Sequence, residues 1–221
     1  MIGPHRRDAR PAIRCHAVGH GSRPEPATHS HAVIPMTLPS SSPRKAVVLA
    51  AGLGYRLRPL TLFQPKPLIP LGGVPLIERS LRQLEAWGVT AIAVNLHWQA
   101  QLLRDYLRAR QGRAVITFSE EPGLLGTAGA LVPLRSFIGD DPFWMVNADI
   151  VWRLPPSLLL RPWRARRPLA ALWLLPDKGP RTVETDAEGS ITTYRSPRRG
   201  APGTATFSGV QIVSPRIYDY L

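Results

Sequence analysis

The chain has 221 residues, of which 44% are hydrophobic and 19% charged, a globular rather than a disordered balance. Its single cysteine, Cys15, excludes an internal disulfide framework and a cysteine-rich zinc module, and fits a reducing, cytoplasmic compartment. The formal net charge of +13 comes from a chain whose cations are mostly arginine and which is also rich in alanine, proline and glycine; coding bias accounts for most of it, so no nucleic-acid partner is expected. No stretch approaches the roughly 20 apolar residues of a membrane-spanning helix, so no membrane partner is expected either.

Residues 1–44 contain Pro4, Pro11, Pro24, Pro26, Pro35, Pro39 and Pro43 and no sustained helical or strand period. They also carry His5, His16, His20, His29 and His31, whose spacing with Cys15 matches no zinc module. The expectation is a disordered tail. Met36, shortly before the first organised segment, is an alternative true start. The tail is arginine-rich and acid-poor, as organelle transit peptides are, but its prolines break any amphipathic helix.

One domain is expected over residues 45–221. The apolar run Ala46–Ala51 reads as a parallel strand covered on both faces. A glycine-rich loop follows. Pro75 opens a helix whose Ile77, Leu81, Leu84 and Trp87 share one face, and Gly88 ends it. Ala91–Leu96 is a second strand. Leu102, Leu103, Tyr106 and Leu107 mark a second helix. Val115–Phe118 is a third strand, and a short helix is expected from Thr127 to about Arg135. Pro142–Asn147 is a fourth strand, ending near Asp149. This alternation predicts an α/β fold with a mostly parallel, Rossmann-like sheet, helices on both faces and right-handed crossovers. Beyond Val151 the pattern loosens. The run Arg161–Arg167 is expected on a solvated surface. Leu169–Leu175 reads as a strand, 182–185 and 190–194 as a hairpin, and Phe207–Val213 as a last strand.

The chemistry concentrates in Leu49-Ala50-Ala51-Gly52-Leu53-Gly54-Tyr55-Arg56-Leu57-Arg58-Pro59-Leu60-Thr61, followed by Pro65-Lys66-Pro67-Leu68. A glycine-rich loop after a buried strand lets backbone N–H groups approach phosphate oxygens with no Cβ in the way. Arg56 and Lys66 are cations that such a loop could bring to the same phosphates. A dinucleotide-binding fingerprint fails, because Leu57 stands where the third glycine belongs and Pro59 stands where the helix should run. No Gly-Lys-Ser/Thr follows, so the loop is not a P-loop. Taken alone, Gly52-x-Gly54 is equally an ordinary tight turn.

The whole string closely resembles the signature of the nucleotide-sugar pyrophosphorylases, the sugar-1-phosphate nucleotidylyltransferases. The resemblance extends in order through Gly73-Val74-Pro75-Leu76-Ile77-Glu78, Val94-Asn95-Leu96-His97, Leu125-Gly126-Thr127-Ala128-Gly129 and Val146-Asn147-Ala148-Asp149, covering about residues 45–216. It implies a nucleotidyltransferase fold of the glycosyltransferase-A-like type. It also implies a nucleoside triphosphate and a sugar 1-phosphate as substrates, and Mg²⁺ as cofactor. By the same resemblance Ala51, Gly52, Gly54 and Tyr55 bind the nucleotide's phosphates, with Arg56 and Lys66 as catalytic cations. Asp149 is the Mg²⁺ ligand; its alternative is a helix N-cap. Gly126, Thr127 and Ala128 bind the base, and Ser208 and Gly209 contact the sugar. Asn95 and either Glu120 or Glu121 are weaker candidates for the same cleft. His97 is expected to be a hydrogen-bonded structural residue.

The chain departs from the family in one respect. A second metal-binding aspartate, in a Trp-x-Asp-x-Gly-like stretch, has no match, and Leu221 follows shortly after the segment that normally precedes it. The expectation is a C-terminally incomplete domain with impaired activity by itself. Two readings stay open: a nucleotidylyltransferase, and a non-catalytic nucleotide-sugar-binding or truncated module. Residues 125–129 look most like mannose-1-phosphate guanylyltransferases. The compact body and Val94–His97 resemble bacterial N-acetylmuramate-1-phosphate uridylyltransferases.

Overall fold

A computed structural model describes the backbone of residues 15–18, and residues 42–176 and 178–221. The Cys15 and histidine side chains of the N-terminal segment, and Met36, lie outside the described residues. Cys15–Val18 form a strand, β1, in a stretch expected to have none.

The organised body begins with β2 (Lys45–Leu49). A 3₁₀ turn at Tyr55–Leu57, the four-residue helix α1 (Leu60–Phe63) and a second turn at Lys66–Leu68 fill the loop after it. A small hairpin, β3 (Pro70–Leu71) and β4 (Val74–Pro75), leads into α2 (Leu76–Ala86). Gly88, with φ +77°, turns the chain out of α2. Then come β5 (Ala91–Leu96), α3 (Ala100–Ala109) and β6 (Val115–Glu120). The short helix expected next is two, α4 (Gly126–Gly129) and α5 (Arg135–Ile138), joined through a 3₁₀ turn at Val132–Leu134. β7 (Phe143–Asn147), α6 (Ser157–Arg166) and β8 (Ala170–Leu175) follow. The expected hairpin is β9 (Val183–Thr185) with β10 (Ile191–Thr193). β11 (Thr204–Val213) and a 3₁₀ turn at Pro215–Tyr220 complete the chain.

The main sheet runs β1-β8-β11-β7-β2-β5-β6. β7, β2, β5 and β6 are parallel neighbours, and β11 lies antiparallel between β7 and β8. Both faces are covered. Ala46, Val48, Trp144 and Val146 point toward α2, α3 and α6, whereas Val47, Phe143 and Met145 point to the opposite layer with Leu134 and Ile138. Two-sided burial is why β2 reads as a continuous apolar run rather than an alternating one. Trp87, at the end of α2, packs between Trp144 and Trp152 with ring centroids 4.5 and 4.6 Å away.

Helix α6 corrects the reading of 161–167 as merely a solvated surface. Arg161, Arg166 and Arg167 are exposed, but Leu159, Leu160 and Trp163 are buried beside β8. Burying such side chains contributes about 1.5–3 kcal/mol each, which outweighs the backbone hydrogen bond that Pro162 forfeits inside the helix.

Candidate active site

The chain builds β2, β5 and β6 outward in one direction, then places β7 on the other side of β2. In open α/β sheets the crevice at such a reversal, beyond the strands' carboxyl ends, is where ligands bind. A cleft of about 610 Å³ lies there, between the segments that leave β2, β6 and β7.

One wall is the loop after β2. Gly54 has φ +64°, and a Cβ on it would lie 2.7 Å from the Thr61 methyl carbon. Thr61 is buried, and its hydroxyl donates to the Gly54 carbonyl at 3.0 Å. The Trp98 indole N–H in turn donates to the Thr61 carbonyl at 2.9 Å. The loop is thus pinned from behind while its front stays open: no atom lies within 4 Å of a Cβ built on Gly52. Ala51, Gly52, Gly54, Tyr55 and Arg56 all line the cleft. Tyr55 is exposed, with the Arg58 guanidinium 4.2 Å from its ring centre.

Lys66 and Asp149 come together at the cleft, 83 residues apart in sequence. Lys66 Nζ donates to Asp149 Oδ2 at 2.5 Å. Lys66 is held between Pro65 and Pro67, both buried, and Asp149 sits two residues beyond β7. Partly exposed pairs of this kind add little stability, so their placement matters more for charge than for folding. Among the described residues no group of three or more histidines, cysteines, aspartates or glutamates could hold a metal. The donor set therefore does not fit an all-protein metal cage. It does fit Mg²⁺, which keeps several waters and takes one or two carboxylates together with substrate phosphates. Two carboxylates line the cleft: Asp149, paired with Lys66 through Oδ2 alone, and Glu121, both of whose oxygens already accept hydrogen bonds.

The far wall is the segment after β6. Of the two glutamates, Glu120 is on the surface, where Arg104 pairs with it, and Glu121 is buried in the cleft lining. Asn95, the penultimate residue of β5, lies beside it, and its amide donates to Glu121 at 2.7 Å. His97 Nδ1 lies 2.8 Å from the Glu121 carbonyl, a structural contact as expected. Gly126, at φ +72°, and Thr127 line the cleft. Ala128 does not; with Thr127 it borders a second, wider groove that runs past Met145, Gln211 and Tyr194. Ser208 and Gly209 are likewise absent from the cleft lining. Gly209 backs onto it: a Cβ there would meet the Asn147 amide at 3.0 Å, and Asn147 itself lines the cleft. Sequence reasoning gave Asn147 no role, although its place at the end of β7, two residues before Asp149, was a usable signal.

A glycine-rich loop, a lysine–carboxylate pair and a small-residue segment gather around the switch point of a parallel α/β sheet. The family described as Nucleotidyl transferase matches residues 45–192, and the chain belongs to it. Among individual relatives, the chain is similar to N-acetylmuramate alpha-1-phosphate uridylyltransferase of Neisseria meningitidis, at 34% identity over 79% of this chain and 77% of that one. It is also similar to mannose-1-phosphate guanylyltransferase 1 of Arabidopsis thaliana, at 28% identity over 79% of this chain; it spans only 51% of that relative's length. The fold is shared with UDP-glucose pyrophosphorylase from Acinetobacter baumanii, at a TM-score of 0.66 and 18% identity over 81% of this chain and 77% of that one. No helix among the described residues is long and apolar enough to cross a membrane.

Proposed function

We propose that the chain transfers a nucleotidyl group from a nucleoside triphosphate to a sugar 1-phosphate. The observation that carries this reading is the juxtaposition of Lys66 and Asp149 across from the loop Gly52–Arg56. An oxygen of the sugar phosphate forms a bond to the α-phosphorus while the bond to the β-phosphate oxygen breaks. Pyrophosphate leaves with that electron pair, and the nucleotide-sugar remains. The protein's contribution is position and charge. The open backbone of Ala51–Tyr55 receives phosphate oxygens. Arg56 and Lys66 offset the negative charge that gathers on the transferring and leaving phosphates. Asp149 would hold Mg²⁺, which supplies further neutralisation of the triphosphate when bound. Gly126 and Thr127 leave room for the flat base. Gly209 reaches the sugar side of the cleft only through Asn147, which it backs. The compartment we propose is the cytoplasm.

Two substrate pairs have support. The segment 125–129 favours GTP with mannose 1-phosphate. The greater shared length with the Neisseria relative favours UTP with N-acetylmuramate 1-phosphate. The test is pyrophosphate release from the full chain with GTP or UTP, Mg²⁺ and each sugar phosphate. Release with one pair, abolished by Asp149→Ala, is expected. Nucleotide binding without release under any combination would instead favour the non-catalytic binding module.

A further inference from the structure

Three neighbouring strands end at the cleft, and at that edge the backbone ladder runs out of partners. The Ala50 N–H, one residue past β2, must find an acceptor. It finds the Asn95 side chain, donating to Oδ1 at 2.6 Å. Asn95 Nδ2 donates to Glu121 Oε1 at 2.7 Å, and the Leu125 N–H donates to Glu121 Oε2 at 3.0 Å. Both side chains are only 4% exposed. Among the described residues no lysine or arginine pairs with Glu121, so these two N–H donors are what hold its buried carboxylate. Ala50 immediately precedes the proposed phosphate loop, and Leu125 immediately precedes the proposed base segment.

We propose that Asn95 and Glu121 act as one positioning unit that sets the separation of the two loops, and thereby the affinity for the nucleotide. Neither residue needs to touch the nucleotide for this. The inference rests on the nucleotide-binding reading of the cleft. A single buried link of this kind is sensitive because each atom has one defined donor or acceptor role.

That donor–acceptor pattern supplies the test. Asn95→Asp keeps the acceptor for Ala50 but sets two carboxylates against each other. Glu121→Gln leaves one acceptor where two are needed. Combining the two exchanges restores every bond. The carboxylate at position 95 accepts from Ala50 and from the new amide, whose oxygen accepts from Leu125. The net charge is unchanged. Dissociation constants for GTP and UTP with Mg²⁺, and melting temperatures without nucleotide, would be measured on the full chain and all three variants.

Each single exchange is expected to weaken binding of whichever nucleotide the unaltered chain holds by at least about tenfold. The double exchange is expected to recover it to within about threefold. Single variants that melt early yet bind with unchanged affinity would reduce the pair to a structural role and overturn the proposal. So would a double variant that binds no better than the singles, or one that fails to fold although its three hydrogen bonds are conserved. If the unaltered chain binds neither nucleotide, the reading of the cleft itself fails, an outcome distinct from failure of the link.

Discussion

Gly52 and Gly54 sit two residues apart in the same loop, yet a methyl group meets different surroundings at each. At Gly54 it would be forced into the left-handed region and onto the Thr61 methyl at 2.7 Å, so Gly54→Ala should cost about 1–3 kcal/mol of stability. At Gly52 it meets nothing within 4 Å. Gly52→Ala should therefore leave the melting temperature nearly unchanged while weakening nucleotide binding, because the methyl projects where phosphate is proposed to approach. Thermal melts and nucleotide titrations of the two variants separate these effects. Arg56 is exposed and carries no fold-holding contact in the loop, so Arg56→Ala should fold normally. It should lower kcat by roughly 100- to 1,000-fold, the usual loss for one charge-stabilising donor, read as initial rates of pyrophosphate release.

Elements α2 and α3 are joined by a buried ionic bridge. Arg110, just past α3, donates from Nε to Glu78 at 2.8 Å and from both terminal nitrogens to Glu85 at 2.7 and 2.9 Å. Glu85 also accepts from the backbone N–H groups of Arg113 and Ala114. Arg110→Ala leaves two carboxylates without their shared cation and should cost about 3–5 kcal/mol, measured by urea denaturation. The same bridge predicts an acid dependence. The Arg110 hydrogen bonds hold the Glu85 carboxyl at about 2, below its ordinary 4.5, despite the opposing effect of burial. A carboxylate whose folded pKa is depressed stabilises the fold above its unfolded value. That contribution is present above about pH 4.5 and is lost as the pH falls toward 2. Arg110→Ala should flatten this part of the stability–pH curve. At this scale sequence reading succeeded where the pattern is local. β2, β5, α2 and α3 follow from apolar runs and helical spacing. It missed α6, because Pro155, Pro156 and Pro162 advertise a break that the burial of Leu159, Leu160 and Trp163 overrides.

For the whole molecule, a ligand that bridges the loop after β2, the segment after β6 and Asp149 ties three parts of one sheet edge together. Nucleotide with Mg²⁺ at about 100 times its dissociation constant should stabilise the chain by about 2.7 kcal/mol. For a domain of this size that is a rise of roughly 5–10 °C in melting temperature. Adding a chelator should remove the part of the rise that depends on Asp149.

The main alternation of strands and helices from β2 to β7 and the burial of β2 on both faces were legible in the sequence, because each depends on neighbours within a few positions. Arg56, Lys66 and Asp149 were singled out by the resemblance of the strings that contain them to the nucleotide-sugar pyrophosphorylases, since the glycine spacing alone equally fits a tight turn. Which of these groups meet was decided only by tertiary structure. Lys66 reaches Asp149 across 83 residues because β7 returns beside β2, and Asn95 selects Glu121 over Glu120 because strand alternation turns one carboxylate inward and the other to solvent. The antiparallel insertion of β11 between β7 and β8, which sets Gly209 behind Asn147, is a pairing between distant segments. Local periodicity carries no record of such a partner, since the same alternating run can pair with either neighbour in either direction.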